Sequence, residues 1–533
     1  MKKFKYLASL LVAPLLIACA GSEINFDFEA PTIDVDSIGL GDLKRDTLTG
    51  EIKSDISNVY FDFFEVSDFH GAVNYSVEEK TIGLAKMADY FAKERLVNPG
   101  GTIILSSGDM YQGSAESNMT HGYIVNYSMN VMGFEAMTLG NHEFDWGLDW
   151  LRKESNVSVE DYKIPYLGAN IYDKATGQIL DFLKPSTIIT RGVYKIGIIG
   201  TIGDGCESSI MKSLVSSLEF RPEFAIAKAE ARRLRDEEGC NVVVWASHRD
   251  SAELSQLGLT KFDGIDVVFG GHTHDNSPAD GVSTTVINGI PYLETKNFGK
   301  GIAHARVAVD METKEVVSAV GDCNVEPYAT EGLVEHSEVK RIVDTYKQHI
   351  DPIKNQVIGE TDGELDVADA FRLTNLCVDT MQLAANKWGK DNGDIKVIAS
   401  FHNAKGGVRS PIASGSITFG DVYKSFPFDN EIVVVKTNGK KLKNYFKKIS
   451  NAGIWRDTSI INKLDDLVET EEYYFTTTDF MATSNSFAFK LKDADLIRTG
   501  YIVRDAIAGR IKSQKTIKAS GFDHSVEQFK APN

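Results

Sequence analysis

Basic side chains are the first shortage in this chain. Lys and Arg number 57 against 75 Asp and Glu, a formal charge of −18 over 533 residues. That balance excludes a protein built to grip a phosphate backbone, which needs basic surface. Small anionic substrates stay open, because bound cations invert the local field that net charge sets. Cysteine is scarce too, with five residues: Cys19, Cys206, Cys240, Cys323 and Cys377. Their irregular spacing argues against a zinc knuckle, and the last four read either as small buried apolar side chains or as bridge partners. Beyond the first twenty residues no apolar run approaches membrane-spanning length, and no internal repeat or low-complexity tract is present. Three familiar catalytic signatures also fail. His142-Glu143 is followed at i+4 by Trp146 rather than a second His, Gly203-Asp204-Gly205 meets Ser208 where a dinucleotide fingerprint needs Gly, and no Gly-x-Ser-x-Gly elbow occurs.

What is there begins with a leader. Lys2, Lys3 and Lys5 precede an apolar run from Tyr6 to Ala18 and then Cys19, the basic, apolar and small-residue order of a secretory signal. At ~1.5 Å per residue the run reaches ~20 Å, short of the ~30 Å of a bilayer core. Leu16-Ile17-Ala18-Cys19 resembles a bacterial lipobox, which implies lipidation of Cys19, a place in the cell envelope on the periplasmic or outer-membrane face, and membrane contact through that anchor alone.

The chain as a whole, 42% hydrophobic and 25% charged over 533 residues, has the composition of a soluble globular protein and is too long for one ordinary core. The expected division is a signal peptide over 1–18, a tether over 19–58, a first domain over 59–328, an interdomain helix over 329–354, a second domain over 355–515 and a tail over 516–533. Strand-like runs at Val59–Val66, Thr102–Ser106, Lys195–Gly200, Asn241–Ala246 and Asp266–Gly270 alternate with amphipathic helical stretches at Gly83–Arg95 and Glu223–Glu238. Alternation of this kind predicts a layered α/β first domain, and the second region reads as α+β.

Four clusters carry the chemistry: Asp68-Phe69-His70-Gly71, Gly108-Asp109, Gly140-Asn141-His142-Glu143 and Gly270-Gly271-His272-Thr273-His274, with His248 between the last two. Setting aside His142 and Glu143, the latter read as structural, they offer two carboxylates, one amide oxygen and four imidazoles. That donor set suits two adjacent divalent ions, Zn, Mn or similar, and points to a two-metal hydrolase. Several predicted strands end just before a candidate ligand, where open α/β sheets place their sites. His142 adjoins Asn141, and Asp145 lies three residues on, able to accept the second imidazole N–H.

The strings Gly108-Asp109-Met110-Tyr111-Gln112-Gly113-Ser114 and Leu139-Gly140-Asn141-His142-Glu143-Phe144-Asp145, with Pro427-Phe428 far downstream, resemble the calcineurin-like metallophosphoesterases. Within them they resemble the 5'-nucleotidase family, which includes UDP-sugar hydrolases and cyclic-nucleotide phosphodiesterases. The resemblance runs from about residue 59 to 515. It implies a layered metallophosphoesterase domain joined by a helix to a C-terminal α+β substrate-binding domain. It assigns Asp68, His70 and His274 to one metal, makes Asp109 the bridge, and gives Asn141, His248 and His272 to the other. His142 and Asp145 become the catalytic dyad. The implied reaction is single displacement at phosphorus by a metal-activated hydroxide, releasing phosphate from a nucleotide. UDP-sugars, cyclic nucleotides, a non-nucleotide ester, or nucleotide binding without turnover are the alternatives.

In that family two Phe residues sandwich the base, arginines meet phosphate or sugar oxygens, and an Asp holds the ribose. The matching positions here are Phe428, Phe480, Arg409 and Arg372. Two departures stand out. Asn403-Ala404-Lys405-Gly406-Gly407-Val408-Arg409 displaces its Asn by one residue, and Ser486 stands where the ribose-binding Asp is expected, a neutral side chain that loses charge-assisted hydrogen bonds.

Overall fold

A computed structural model describes residues 24–28, 31–47, 49–274, 285–368, 371–449, 452–461 and 463–523. The leader and Cys19 lie outside the described residues. No helix among them is long and apolar enough to cross a membrane.

The first domain is a sandwich of two six-stranded sheets. One runs in the order 316–324, 302–310, 58–66, 102–106, 136–138, 166–167, and the other 285–287, 290–293, 267–269, 242–248, 194–202, 186–191. The strand Asn58–Val66 shows why the sheets stack. Its side chains are buried on both faces: Phe61 and Phe63 meet Ile196, Val244 and Phe269 of the opposite sheet, while Phe64 and Val66 turn to the helical layer. Helices Gly83–Val97 and Tyr123–Met132 cover one outer face, and Glu223–Asp236 covers the other. The predicted strands and helices therefore appear within a few residues of their expected bounds. The two-sheet arrangement was not legible, because a run buried on both faces has no alternation to show which layer it joins.

The interdomain helix is Ser337–Lys354, starting later than expected, with Val339, Ile342, Tyr346 and Ile350 buried at helical spacing. The second domain centres on a five-stranded sheet in the order 452–456, 397–403, 472–478, 431–438, 497–502. Helices Arg372–Asp391 and Val503–Gln514 pack on it and continue the core shared with the first domain.

Both ends of the chain differ from expectation. Residues 24–28, 31–47 and 49–50, read as part of a tether, pack as a strap over both domains. Phe26 is buried beside Tyr501 and Gly509, and Phe28 lies against Phe419. Arg341 of the interdomain helix donates to the carbonyls of Leu40 and Asp42, and the Asp46 N–H donates to Val131 in the first domain. The acidic tone of this stretch hid its apolar side chains, and burying each large one stabilises by ~1.5–3 kcal/mol. The tail likewise packs as far as Asp523: Thr516–Ile517 joins a three-stranded sheet and Asn375 donates to the carbonyl of Phe522. The four cysteines within the described residues are free thiols.

Candidate active site

The chemistry-bearing side chains gather where strands of both sheets end. Asp68 and His70 follow Asn58–Val66, Asp109 follows Thr102–Ser106, Asn141 follows Ala136–Thr138, His248 closes Val242–His248, and His272 and His274 follow Val267–Phe269. Five of these seven, Asp68, His70, Asp109, His272 and His274, have φ between 49° and 81°. Left-handed backbone is uncommon for residues other than Gly and persists only where surroundings over-determine it. Gly108 is left-handed as well (φ 101°), and a Cβ there would lie 2.5 Å from the Gly140 nitrogen. A Cβ on Gly140 would lie 2.2 Å from Oδ1 of Asp109. Only glycines let the two loops close to this distance.

Two donor groups result. Asp68, His70 and His274 converge, as do Asp109, His248 and His272, the ligand atoms of each trio lying within 4.8 Å of one another. The Nε2 atoms of His70 and His274 are 2.9 Å apart, and Nε2 of His274 is 3.5 Å from Oδ1 of Asp68. Nε2 of His248 is 3.1 Å from Oδ2 of Asp109 and 3.2 Å from Oδ1 of Asn141. Backbone carbonyls orient the rings from behind: Nδ1 of His70 is 2.8 Å from the Gln112 oxygen, and Nδ1 of His248 is 2.8 Å from that of Ser107. An Nδ1–H donated to each carbonyl leaves Nε2 with its lone pair facing the centre. Burial holds His272 and His274 down to about 4, so both imidazoles are neutral and able to ligate. Burial, reinforced by the charge of Asp109, pushes Asp68 up to about 6. Two carboxylates crowded without solvent are a mismatch that divalent cations relieve. The donor set, all oxygen and nitrogen, thus fits two such ions.

His142 sits at the rim. Its backbone N–H donates to Oδ1 of Asp109 at 2.8 Å, and its ring Nδ1 lies 2.8 Å from Oδ2 of Asp145. Burial opposes protonation of His142, but the charges of Asp145 and Asp109 outweigh it and raise its pKa. Glu143 plays the structural part expected of it. Its buried carboxylate accepts from the N–H groups of Asp109 (2.8 Å), Met110 (2.8 Å) and Gly140 (2.7 Å), fastening the two loops together. Asn297, which the sequence reading missed, places its amide 2.9 Å from Nδ1 of His274. Glu143 lies inside a motif string, but its hold on the Asp109–Met110 loop joins segments more than thirty residues apart, and Asn297 lies outside every motif string.

The second domain forms the facing wall. A cavity of about 530 Å³ is lined by Asp109, His142, Asp145, Arg409, Phe428 and Phe480, with Ser486 among the others. The Phe428 ring stacks against His142 at 5.8 Å and 24°, and the Arg409 guanidinium lies 5.2 Å from the Phe428 centroid. Gln112 and Asn118 donate to the Pro427 carbonyl across the domain boundary, at 3.4 and 2.9 Å. Arg372 is not brought here. It begins its helix paired with Asp523 at 2.5 Å and lines neither this cavity nor a second one of about 850 Å³ on the His70–His274 side. Its surroundings were not readable because the packed tail supplies its partner.

Comparison with known proteins agrees with this architecture. The calcineurin-like phosphoesterase family model matches residues 62–276, and the model for the 5'-nucleotidase C-terminal domain matches 357–461. Protein UshA of Escherichia coli is 24% identical over 516 residues, 86% of this chain and 92% of that protein. A Bos taurus 5'-nucleotidase is 27% identical over 390 residues, 68% of this chain and 66% of its own length. The structure of a 5'-nucleotidase precursor from Thermus thermophilus superposes with a TM-score of 0.68 at 22% identity, covering 86% of this chain and 97% of that one. Two donor groups of the type a pair of divalent ions requires stand at the strand ends. The chain belongs to the calcineurin-like metallophosphoesterases that carry a 5'-nucleotidase C-terminal domain, and it is a metal-dependent hydrolase of the dinuclear type.

Proposed function

We propose that this enzyme releases phosphate from nucleotides. One observation carries the reading: the His142–Asp145 pair and the two donor groups open into the same cavity as Arg409, Phe428 and Phe480. Asp68, His70 and His274 would hold one ion, Asn141, His248 and His272 the other, and Asp109 would bridge. When bound, the ions polarise the phosphoryl group and activate water. The chain's own side chains do the rest. Arg409 meets phosphoryl oxygens with a fixed fork of donors. Protonated His142, oriented by Asp145, delivers its proton to the leaving oxygen. Phe428 and Phe480 offer ring faces to a base. The test is inorganic phosphate release by the purified, metal-loaded chain from nucleotides, nucleotide sugars and sugar phosphates. Highest kcat/KM on a nucleoside monophosphate supports the reading, and turnover of sugar phosphates alone overturns it.

A second reading rests on the 850 Å³ cavity beyond His70 and His274, which includes Lys80, Lys300 and Ser114. Space on both sides of the ions admits a substrate extended through its phosphates, such as a nucleotide sugar, and the same panel separates the two.

Secretion and lipid anchoring at Cys19 are proposed from the leader alone. Only residues 20–23 would separate the lipid from Ile24, and four residues span about 14 Å at most. With Phe26 buried beside Tyr501 just after that point, the enzyme would sit close against its bilayer. Retention of wild type in the membrane fraction and release of Cys19→Ser into the soluble fraction would support this, and equal partition of the two would refute it.

A further inference from the structure

Asp429 follows the stacking residue Phe428 and is assigned no role by the reading above. It lines the 530 Å³ cavity together with His142, Phe480 and Ser486. Its side chain is 48% exposed, so it faces the cavity rather than the core, yet it is held in place. Oδ1 pairs at 2.6 Å with the guanidinium of Arg504, whose side chain is only 5% exposed and whose guanidinium carbon lies 4.0 Å from the centroid of the Tyr423 ring. Arg504 also meets Asp505 at 3.3 Å, so its charge does not depend on Asp429 alone. Among the described residues no donor meets Oδ2 of Asp429. A carboxylate fixed on one side by a buried guanidinium, with its second oxygen turned to the cavity, is an acceptor set in advance.

We infer that Asp429 is a specificity-determining residue, taking a hydrogen bond from a hydroxyl or amino donor on the leaving group beside the ring that stacks on Phe428. The path of a bound ester leads there. Its phosphoryl end lies at Asp109 and His142, the His142 ring stacks on Phe428, and Asp429 is the next residue of the wall. At position 486 the wall offers only a hydroxyl, so the fixed charged acceptor for such a donor comes from the Phe428 side of the cavity. The inference deepens the nucleotide reading and rests on it.

Sugar hydroxyls and ring amino groups are the two sources of such a donor, and analogues tell them apart. The experiment measures kcat/KM for AMP, 2',3'-dideoxy-AMP, the monophosphate of unsubstituted purine riboside, and p-nitrophenyl phosphate. Wild type is compared with Asp429→Asn, Asp429→Ala and Asp429→Glu, each checked for an unchanged unfolding temperature. The expected result is a fall of about tenfold in the AMP to p-nitrophenyl phosphate ratio on losing the charge, the scale of one hydrogen bond to an ion. Asp429→Glu should recover part of it. Discrimination against the dideoxy analogue should collapse if the donor is on the sugar, or against the analogue lacking the amino group if it is on the base. Parallel losses on AMP and p-nitrophenyl phosphate, or discrimination that survives intact in Asp429→Ala, would overturn the inference while leaving the nucleotide reading standing. Wild type that cleaves p-nitrophenyl phosphate but no nucleotide would overturn that reading and this inference together.

Discussion

On the first-domain wall of the cleft, five of seven candidate ligands hold left-handed backbone, and their loops are cross-fastened by the Glu143 carboxylate and by carbonyls behind the imidazoles. On the second-domain wall, Arg409, Phe428, Asp429, Phe480 and Ser486 have ordinary backbone and reach the cavity as side chains from loops and a short helix. The contrast separates chemistry from selection. Metal geometry tolerates errors of a few tenths of an ångström, so strain is accepted where packing over-determines it. Ring stacking tolerates more, and its chemistry changes by single substitutions without rebuilding a loop.

The harshest way to break the comparison is Asp109→Asn. Asp109 belongs to the second donor group, its charge reaches Asp68, His70 and His274 of the first, and it accepts the backbone N–H of His142, so if it bridges as proposed both ions should weaken at once and activity should fall by orders of magnitude while the fold persists. Metal content by elemental analysis checks it, and near-normal metal with near-normal turnover would refute the bridging role.

Next in size, His142→Ala should keep its metal and lose ~10²–10⁴-fold in kcat, the usual worth of a general acid. A pH profile sharpens this. His142 acts protonated, so kcat should fall as pH rises through its raised pKa. Asp145→Asn removes the largest charge holding that proton, so the alkaline limb should move to lower pH. A limb that stays in place would detach Asp145 from the role.

On the selecting wall the effects should be smaller and substrate-dependent. Phe428→Ala and Phe480→Ala should weaken nucleotides by ~1–3 kcal/mol per lost stack and p-nitrophenyl phosphate far less. Equal losses on both substrates would make the rings core packing.

The smallest effect concerns the sheet behind the ligands. His304 lies between Asp62 (2.9 Å) and Asp322 (3.4 Å), and although burial opposes protonation these partners raise it to about 9. A folded pKa above the unfolded value of ~6.5 gives stabilisation that is full below that pH and lost as pH rises through about 9. The unfolding temperature should therefore decline across that window, and His304→Gln should flatten the decline. An identical slope in the variant would remove His304 as its cause.

Much of the site was legible in the chain because its chemistry is carried by residue type in short strings: carboxylate, amide and imidazole beside glycines, each after an apolar run. The sandwich, the strap and the partner of Arg372 were not legible, since each depends on contacts between segments hundreds of residues apart. The sequence by itself determined the donor inventory, the positions of the strands that deliver it and the presence of aromatic residues downstream. Tertiary structure alone decided which loops meet. It set Glu143 under three backbone N–H groups, turned Phe428 to His142, and placed Arg504 beneath Asp429. These pairings follow from how the two sheets and the second domain pack, and packing is settled by long-range burial, which local pattern does not encode.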